Sequence, residues 1–180
     1  MPKRALIVTD MLNGYDHEDA EPLAESVEEV LPNIVRLRDE AEQDDETLLV
    51  YVQDNYDQWE AGREQLTQRA LDGKRPDLVK PIAPEEPVPF IAKGRHSIFY
   101  ETALDHLLSV NEIECIVLVG QVTEQCILYS ALDAYVRHFQ VVVARDACAS
   151  IDQELADAAL RMIERNMRAD VTETEHFALS

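Results

Sequence analysis

Residues 115–126 read Cys-Ile-Val-Leu-Val-Gly-Gln-Val-Thr-Glu-Gln-Cys. The first five are apolar and rich in β-branched side chains, short enough for a strand buried on both faces, and Gly120 closes the run. From Glu124 to His138 the period changes, with Ile127, Leu128, Ala131, Ala134 and Tyr135 recurring at helical steps. A buried strand feeding an amphipathic helix is the repeating half of a βαβ unit.

The same alternation extends in both directions. Ala5–Thr9 and Thr47–Gln53 read as two earlier strands, and Val88–Lys93 as a third. Pro22–Ala41 has helical period, with Pro32 expected to kink or split it. Trp59–Leu71 and Thr102–Val110 read as further helices, and the five prolines between Pro76 and Pro89 as a surface loop. Val141–Ala144 is a fifth strand. Ser150-x-x-Gln153 is a capping box opening a helix to Arg165, and Ala169–Thr172 is a sixth strand. This order predicts one α/β domain over residues 1–180, with a six-stranded, mostly parallel, Rossmann-like sheet covered by helices on both faces. Ligands of such sheets bind beyond the carboxyl ends of the strands.

The charge narrows the partners. Sixteen Lys and Arg oppose 36 Asp and Glu, a net charge of −20. Nucleic acid and anionic membrane both require a basic surface, so a small molecule is the expected partner. Between Asp16 and Glu46 only Arg36 and Arg38 oppose the acids, which reads as a solvated face; a salt-adapted surface is the sharper alternative. Neither a secretory h-region nor a membrane span is visible, and three cysteines do not make a disulfide scaffold. The expectation is a cytoplasmic protein with reduced thiols.

Four side chains fall just after strands: Asp10, Asp54, Lys93 and Cys126. Cys126 opens a helix, where free N–H groups and the dipole favour thiolate and could hold an oxyanion. The competing reading is a small buried residue, as expected for Cys115 in its strand; Cys148, in the loop before a helix, could be exposed but has no obvious partner and reads as structural. Asp10 could act as general acid or base, or merely cap a loop. Lys93 could tune a neighbouring thiol or carboxyl, or lie on the surface. The joint case is stronger because all would project to one edge of one sheet. No G-x-G-x-x-G follows a strand, which argues against a dinucleotide.

Four segments together resemble the isochorismatase-like cysteine hydrolases, which include nicotinamidases, N-carbamoyl amidohydrolases and ureidoacrylate-type amidohydrolases. They are Ala5-Leu-Ile-Val-Thr-Asp-Met-Leu-Asn-Gly-Tyr15, Lys93-Gly-Arg-His-Ser-Ile-Phe99 with Thr102-x-Leu104, Val119-Gly-Gln-Val-Thr-Glu-Gln-Cys126, and Ala131-x-Asp-Ala134 through Val141–Ala147. The likeness runs from about residue 4 to 178. It implies a triad of Asp10, Lys93 and Cys126, a non-proline cis peptide at Gln121–Val122, and an oxyanion hole from the N–H groups of Val122 and Cys126. The implied activity is hydrolysis of a C–N bond in a small amide, ureide or carbamoyl compound through a thioester. Tyr15, Trp59 and Phe99 are candidate walls of the pocket, and Asp54 and Gln121 candidate substrate contacts. His96, near Lys93, could also touch substrate.

The likeness has departures. Nicotinamidases carry two histidines just beyond the aspartate that matches Asp54, where they bind a metal. Here the stretch is Asp54-Asn-Tyr-Asp-Gln-Trp59, and His17, His96, His106, His138 and His176 are scattered, so no metal and no cofactor is expected. Leu12 stands where the family usually has glutamine. A homodimer or homotetramer is implied by likeness alone. The alternatives are an isochorismatase-type vinyl-ether hydrolase, against which the thiol argues, and a non-catalytic binding or assembly member.

Overall fold

The computed structural model describes residues 3–176; residues 1–2 and 177–180 of the expected domain lie outside the described residues. Six strands form one all-parallel sheet: β1 (Arg4–Thr9), β2 (Thr47–Asp54), β3 (Phe90–Lys93), β4 (Cys115–Gln121), β5 (Gln140–Ala149) and β6 (Asp170–Thr172). Their spatial order is β3-β2-β1-β4-β5-β6. The chain builds outward from β1 to β3, returns to lay β4 against the free side of β1, and builds outward again. The reversal leaves a crevice between the carboxyl ends of β1 and β4, the place where open α/β sheets bind ligands.

The continuous apolar strands are explained by what covers them. Alternate residues of one strand point to opposite faces. Leu6 and Val8 join Val117 and Val119 on one face, under Leu23, Val27, Ile34 and Leu37 of α1 (Ala20–Gln43). Ala5 and Ile7 join Ile116 and Leu118 on the other, under α4 (Leu104–Val110), α5 (Leu128–Val136) and α6 (Gln153–Met167). Both faces are buried, so no polar alternation survives in the strands. No helix among the described residues is long and apolar enough to cross a membrane.

Several elements differ from expectation for identifiable reasons. Pro32 does not break α1, which runs 24 residues unbroken. It sits on the exposed side, and so does Glu28, whose carbonyl the proline leaves without an i+4 donor. Trp59 stays outside α2 (Arg63–Leu71), which begins after Gly62, where the Gln65 side chain accepts from the Gly62 N–H at 3.0 Å. The proline-rich stretch is partly core. Pro76 takes the first position of the one-turn helix α3 (Pro76–Val79), which proline tolerates, and a 3₁₀ turn follows over Lys80–Ile82. Leu78, Val79 and Ile82 are buried there. β5 is longer than expected because it bends past an irregularity in its pairing between Leu118 and Gly120. Cys148 therefore lies in a strand, not a loop. Asp152, not Ser150, caps α6, its side chain accepting from Leu155 N–H at 2.9 Å. The peptide Gln121–Val122 is cis, as the family likeness implied.

Candidate active site

β1 ends at Thr9, and the next residue turns the chain. Asp10 takes φ 56°, a left-handed conformation that aspartate tolerates better than most residues. Its N–H still donates to the Val52 carbonyl at 3.0 Å, and its Oδ1 accepts from the Asp54 N–H at 2.7 Å. The β2–β3 register sets Lys93 beside Asp54 at the ends of the two strands. The Lys93 ammonium lies 2.9 Å from Asp10 Oδ2, 3.6 Å from Asp54 Oδ2 and 3.6 Å from Cys126 Sγ. Asp10, Asp54, Lys93 and Cys126, spread over more than a hundred residues of chain, thus meet at one rim of the sheet.

The turn that carries Cys126 is not the plain α-helical N-terminus expected. Thr123–Ile127 form a π turn, in which Ile127 N–H reaches back to the Val122 carbonyl, and Gln125 N–H donates to the same oxygen. Cys126 N–H lies ahead of the first five-residue bond and takes no part in either contact. Glu124 anchors the turn, its Oε1 accepting from Ile151 and Asp152 N–H groups at 2.9 and 2.8 Å. Thr123 Oγ1 donates to the Ala149 carbonyl at 2.9 Å. Gln121 Nε2 donates to the Asp10 carbonyl at 2.5 Å, tying the end of β4 to the end of β1.

Burial decides the charges. It pushes the Asp10 carboxyl above its ordinary value, and the attraction of Lys93 does not fully offset it. Burial also works against the Lys93 ammonium, but Asp10, Cys126 and Asp54 outweigh it and raise its pKa. The Cys126 thiol is pushed up by burial and then by the negative Asp10, against the pull of Lys93. The resting site is therefore a protonated thiol beside an ammonium–carboxylate pair. The sequence argument for a thiolate from the helix dipole is overridden by desolvation.

A cleft of about 220 Å³ opens over the sulfur. Asp10, Asp54, Gln121, Val122 and Cys126 line it, together with His96, whose Nδ1 lies 3.7 Å from Sγ and whose ring packs on Tyr129. Asn13, His17, Asp19, Leu23, Tyr56, Gln125 and Ile151 complete the wall. His17 is exposed and also lines the cleft, where the Asn13 amide meets its ring at 3.3 Å. Tyr56 was legible only as a residue of the Asp54 stretch. Its ring is partly open while its hydroxyl donates to the Leu12 carbonyl at 3.1 Å. That contact, with Gln53 bonded to both Leu12 N–H and carbonyl, shows that position 12 acts here through its backbone.

Three candidate wall residues lie elsewhere. Phe99 is buried in the opposite core, stacked on Phe139 at 5.9 Å with the Arg137 guanidinium above it. The chain bends after Lys93 and carries it away from the crevice. Trp59 is 74% exposed, with its indole lying over Gly94 on the outer surface. Tyr15 is buried beneath the site with its hydroxyl beside Gln121, and burial pushes its pKa up to about 12. Other motif residues are structural. Ser97 Oγ donates to Asp133 Oδ2 and Ile98 N–H donates to Ser130 Oγ at 3.1 Å, so the Lys93–Leu104 segment is held onto α5, while Thr102 Oγ1 donates within the segment to the Ile98 carbonyl at 2.6 Å.

The cleft residues do not fit a metal. Among the described residues, three His, Cys or carboxylate donors converge within 4.8 Å only at the exposed Glu173, Glu175 and His176. A larger hollow of about 530 Å³ opens at the amino ends of the strands, by Arg4, Cys115, His138 and Asp170. Its position is opposite to the crevice that the sheet topology favours.

The fold and site define an open parallel α/β sheet with thiol, carboxylate and ammonium gathered at its topological switch. The isochorismatase domain model matches residues 4–176, and the chain belongs to the isochorismatase family. It is 33% identical over 172 residues to the isochorismatase family protein YaaI of Bacillus subtilis, covering 96% of this chain and 94% of that one. Its structure is similar to the nicotinamidase SaPncA of Staphylococcus aureus, with a TM-score of 0.68, 26% identity, and 95% and 99% of the two chains covered. It is also similar to N-carbamoylsarcosine amidase from Thermoplasma acidophilum, with a TM-score of 0.68, 25% identity, and 97% and 98% covered.

Proposed function

We propose that the protein is a cysteine-dependent amidohydrolase that cleaves the C–N bond of a small amide, ureide or carbamoyl compound. The observation that carries this reading is the Lys93 ammonium, 2.9 Å from the Asp10 carboxylate and 3.6 Å from the Cys126 sulfur at the base of one cleft. The amidase names of the two structural relatives support it. Cys126 sulfur attacks the carbonyl carbon as Asp10 takes the thiol proton. The tetrahedral oxygen rests on the N–H groups of Val122 and Cys126. Collapse of the intermediate breaks the C–N bond, and Asp10 hands its proton to the departing nitrogen. Water, deprotonated by Asp10, then releases the acyl or carbamoyl group from sulfur, and the thiol regains its proton. Covalent catalysis divides one hard step into two easier ones.

The electrostatics suit these roles. A carboxyl with a raised pKa is a better proton carrier near neutral pH than a free aspartate. Lys93 stays charged throughout and stabilises negative charge on either Asp10 or sulfur. Nicotinamide itself is disfavoured, because the stretch Asp54–Trp59 carries neither of the two histidines that nicotinamidases place there to meet a pyridine nitrogen through a metal, and His17 and His96 reach the cleft from other segments. The test is ammonia release from a panel of small amides and ureides. Cys126→Ala is expected to lose turnover by about a thousandfold or more while its circular dichroism spectrum and melting stay native-like. Undiminished hydrolysis by that variant overturns the mechanism.

A further inference from the structure

We propose, building on the amidohydrolase reading, that the site accepts only amides or ureides without negative charge and favours those carrying a cationic group. Among the described residues, three carboxylates line the cleft, on Asp10, Asp19 and Asp54, and no arginine or lysine does. The ammonium beneath it, Lys93, has a fully buried side chain and is engaged by Asp10 and Asp54. The remaining amide walls, Asn13, Gln121 and Gln125, carry no charge.

Asp19 makes this imbalance available to a ligand. It immediately precedes α1, where an aspartate would ordinarily cap the helix, yet its side chain makes no capping bond. Its carboxylate stands exposed at the rim of the cleft. A carboxylate-bearing substrate entering here would shed water against uncompensated negative charge. A substrate ammonium would meet Asp19. The molecular charge of −20 acts in the same direction at longer range.

Two reagents of matched size, one neutral and one anionic, read this charge without depending on turnover. Native protein is treated at pH 8 with iodoacetamide or iodoacetate, Cys126 labelling is followed by peptide mass, and the rate ratio is normalised to that of a small free thiol. The amide is expected to be favoured at least tenfold beyond the free-thiol ratio. Asp19→Asn should reduce that preference by about fivefold, the worth of one exposed charge near contact in water, and high salt should reduce it too. Iodoacetate reacting at parity or faster, or neither reagent reaching Cys126, overturns the inference. In the second arm, 3-aminopropanamide, butanamide and succinamate are compared as substrates, with kcat/KM expected to fall in that order. Preferred hydrolysis of succinamate overturns the charge selectivity and leaves the amidohydrolase reading standing. Selective alkylation without hydrolysis of any small amide or ureide overturns that reading and supports the charge selectivity.

Discussion

Lys93 is 1% exposed and Asp10 is 6% exposed, so each depends on the other to remain charged out of water. Lys93→Met removes one partner and leaves the carboxylate buried. The Asp10 pKa, already raised, should rise further, so the folded state binds its proton more tightly than the unfolded chain does. The resulting penalty is absent below the unfolded value and grows as pH rises through the folded one. The variant should lose about 3–5 kcal/mol at pH 7 and distinctly less at pH 5, read from urea midpoints against the native protein. Equal losses at both values would show that the carboxylate is not the group left stranded. In the native protein the raised Lys93 pKa makes the lysine's own contribution to stability complete below about 10.5, with loss only in stronger alkali. At this scale the sequence was readable where a residue directly follows a strand, as Asp10, Asp54 and Lys93 do. It was unreadable where a bend intervenes: Phe99 lies six residues past Lys93, and nothing in those six residue types says which face of the sheet they reach. Asp19 was hidden because an acid before a helix ordinarily belongs to that helix.

Among the elements, β4 and β1 approach each other closely at Gly120. Gly120 has φ +116°, and a Cβ there would stand 2.1 Å from the Thr9 carbonyl oxygen, one residue before Asp10. Gly120→Ala should cost about 3 kcal/mol or more and displace Asp10, lowering hydrolysis along with stability. Gly62→Ala, with 3.4 Å to a flexible glutamine, is the control expected to fold normally. Thermal melts of the two separate the close approach from a general glycine effect. For α6, Asp152→Ala should lose about 1 kcal/mol and Ser150→Ala no capping energy; equal losses would restore the capping box that the Ser-x-x-Gln pattern suggests. The strands were legible because burial on both faces leaves an unmistakable apolar run. Helix starts were less so, since Ser150 and Asp152 are both good caps and only backbone position decides between them. The proline in α1 misled for a similar reason, because its effect depends on which side of the helix faces water.

For the molecule as a whole, the acidic stretch from Asp16 to Glu46 is less isolated than its sequence suggests. Lys74 reaches Asp16 at 2.6 Å and Arg75 reaches Glu28 at 2.5 Å, both from the connection between α2 and α3. Glu18, Glu21, Glu25 and Glu29 still face solvent. Repulsion should therefore outweigh the screened surface pairs, and the melting temperature should rise between low salt and 1 M NaCl. A flat or falling curve would mean that the ion pairs balance the excess.

The return of the chain from β3 to β4 divides the site between two stretches of polypeptide. Residues up to 93 bring the carboxylates and the ammonium, and residues from 115 onward bring the sulfur. A nick between them would give two pieces, each chemically inert alone. Ammonia release would return only when β1 and β4 zip together again, which makes hydrolysis a direct reporter of half-molecule reassembly.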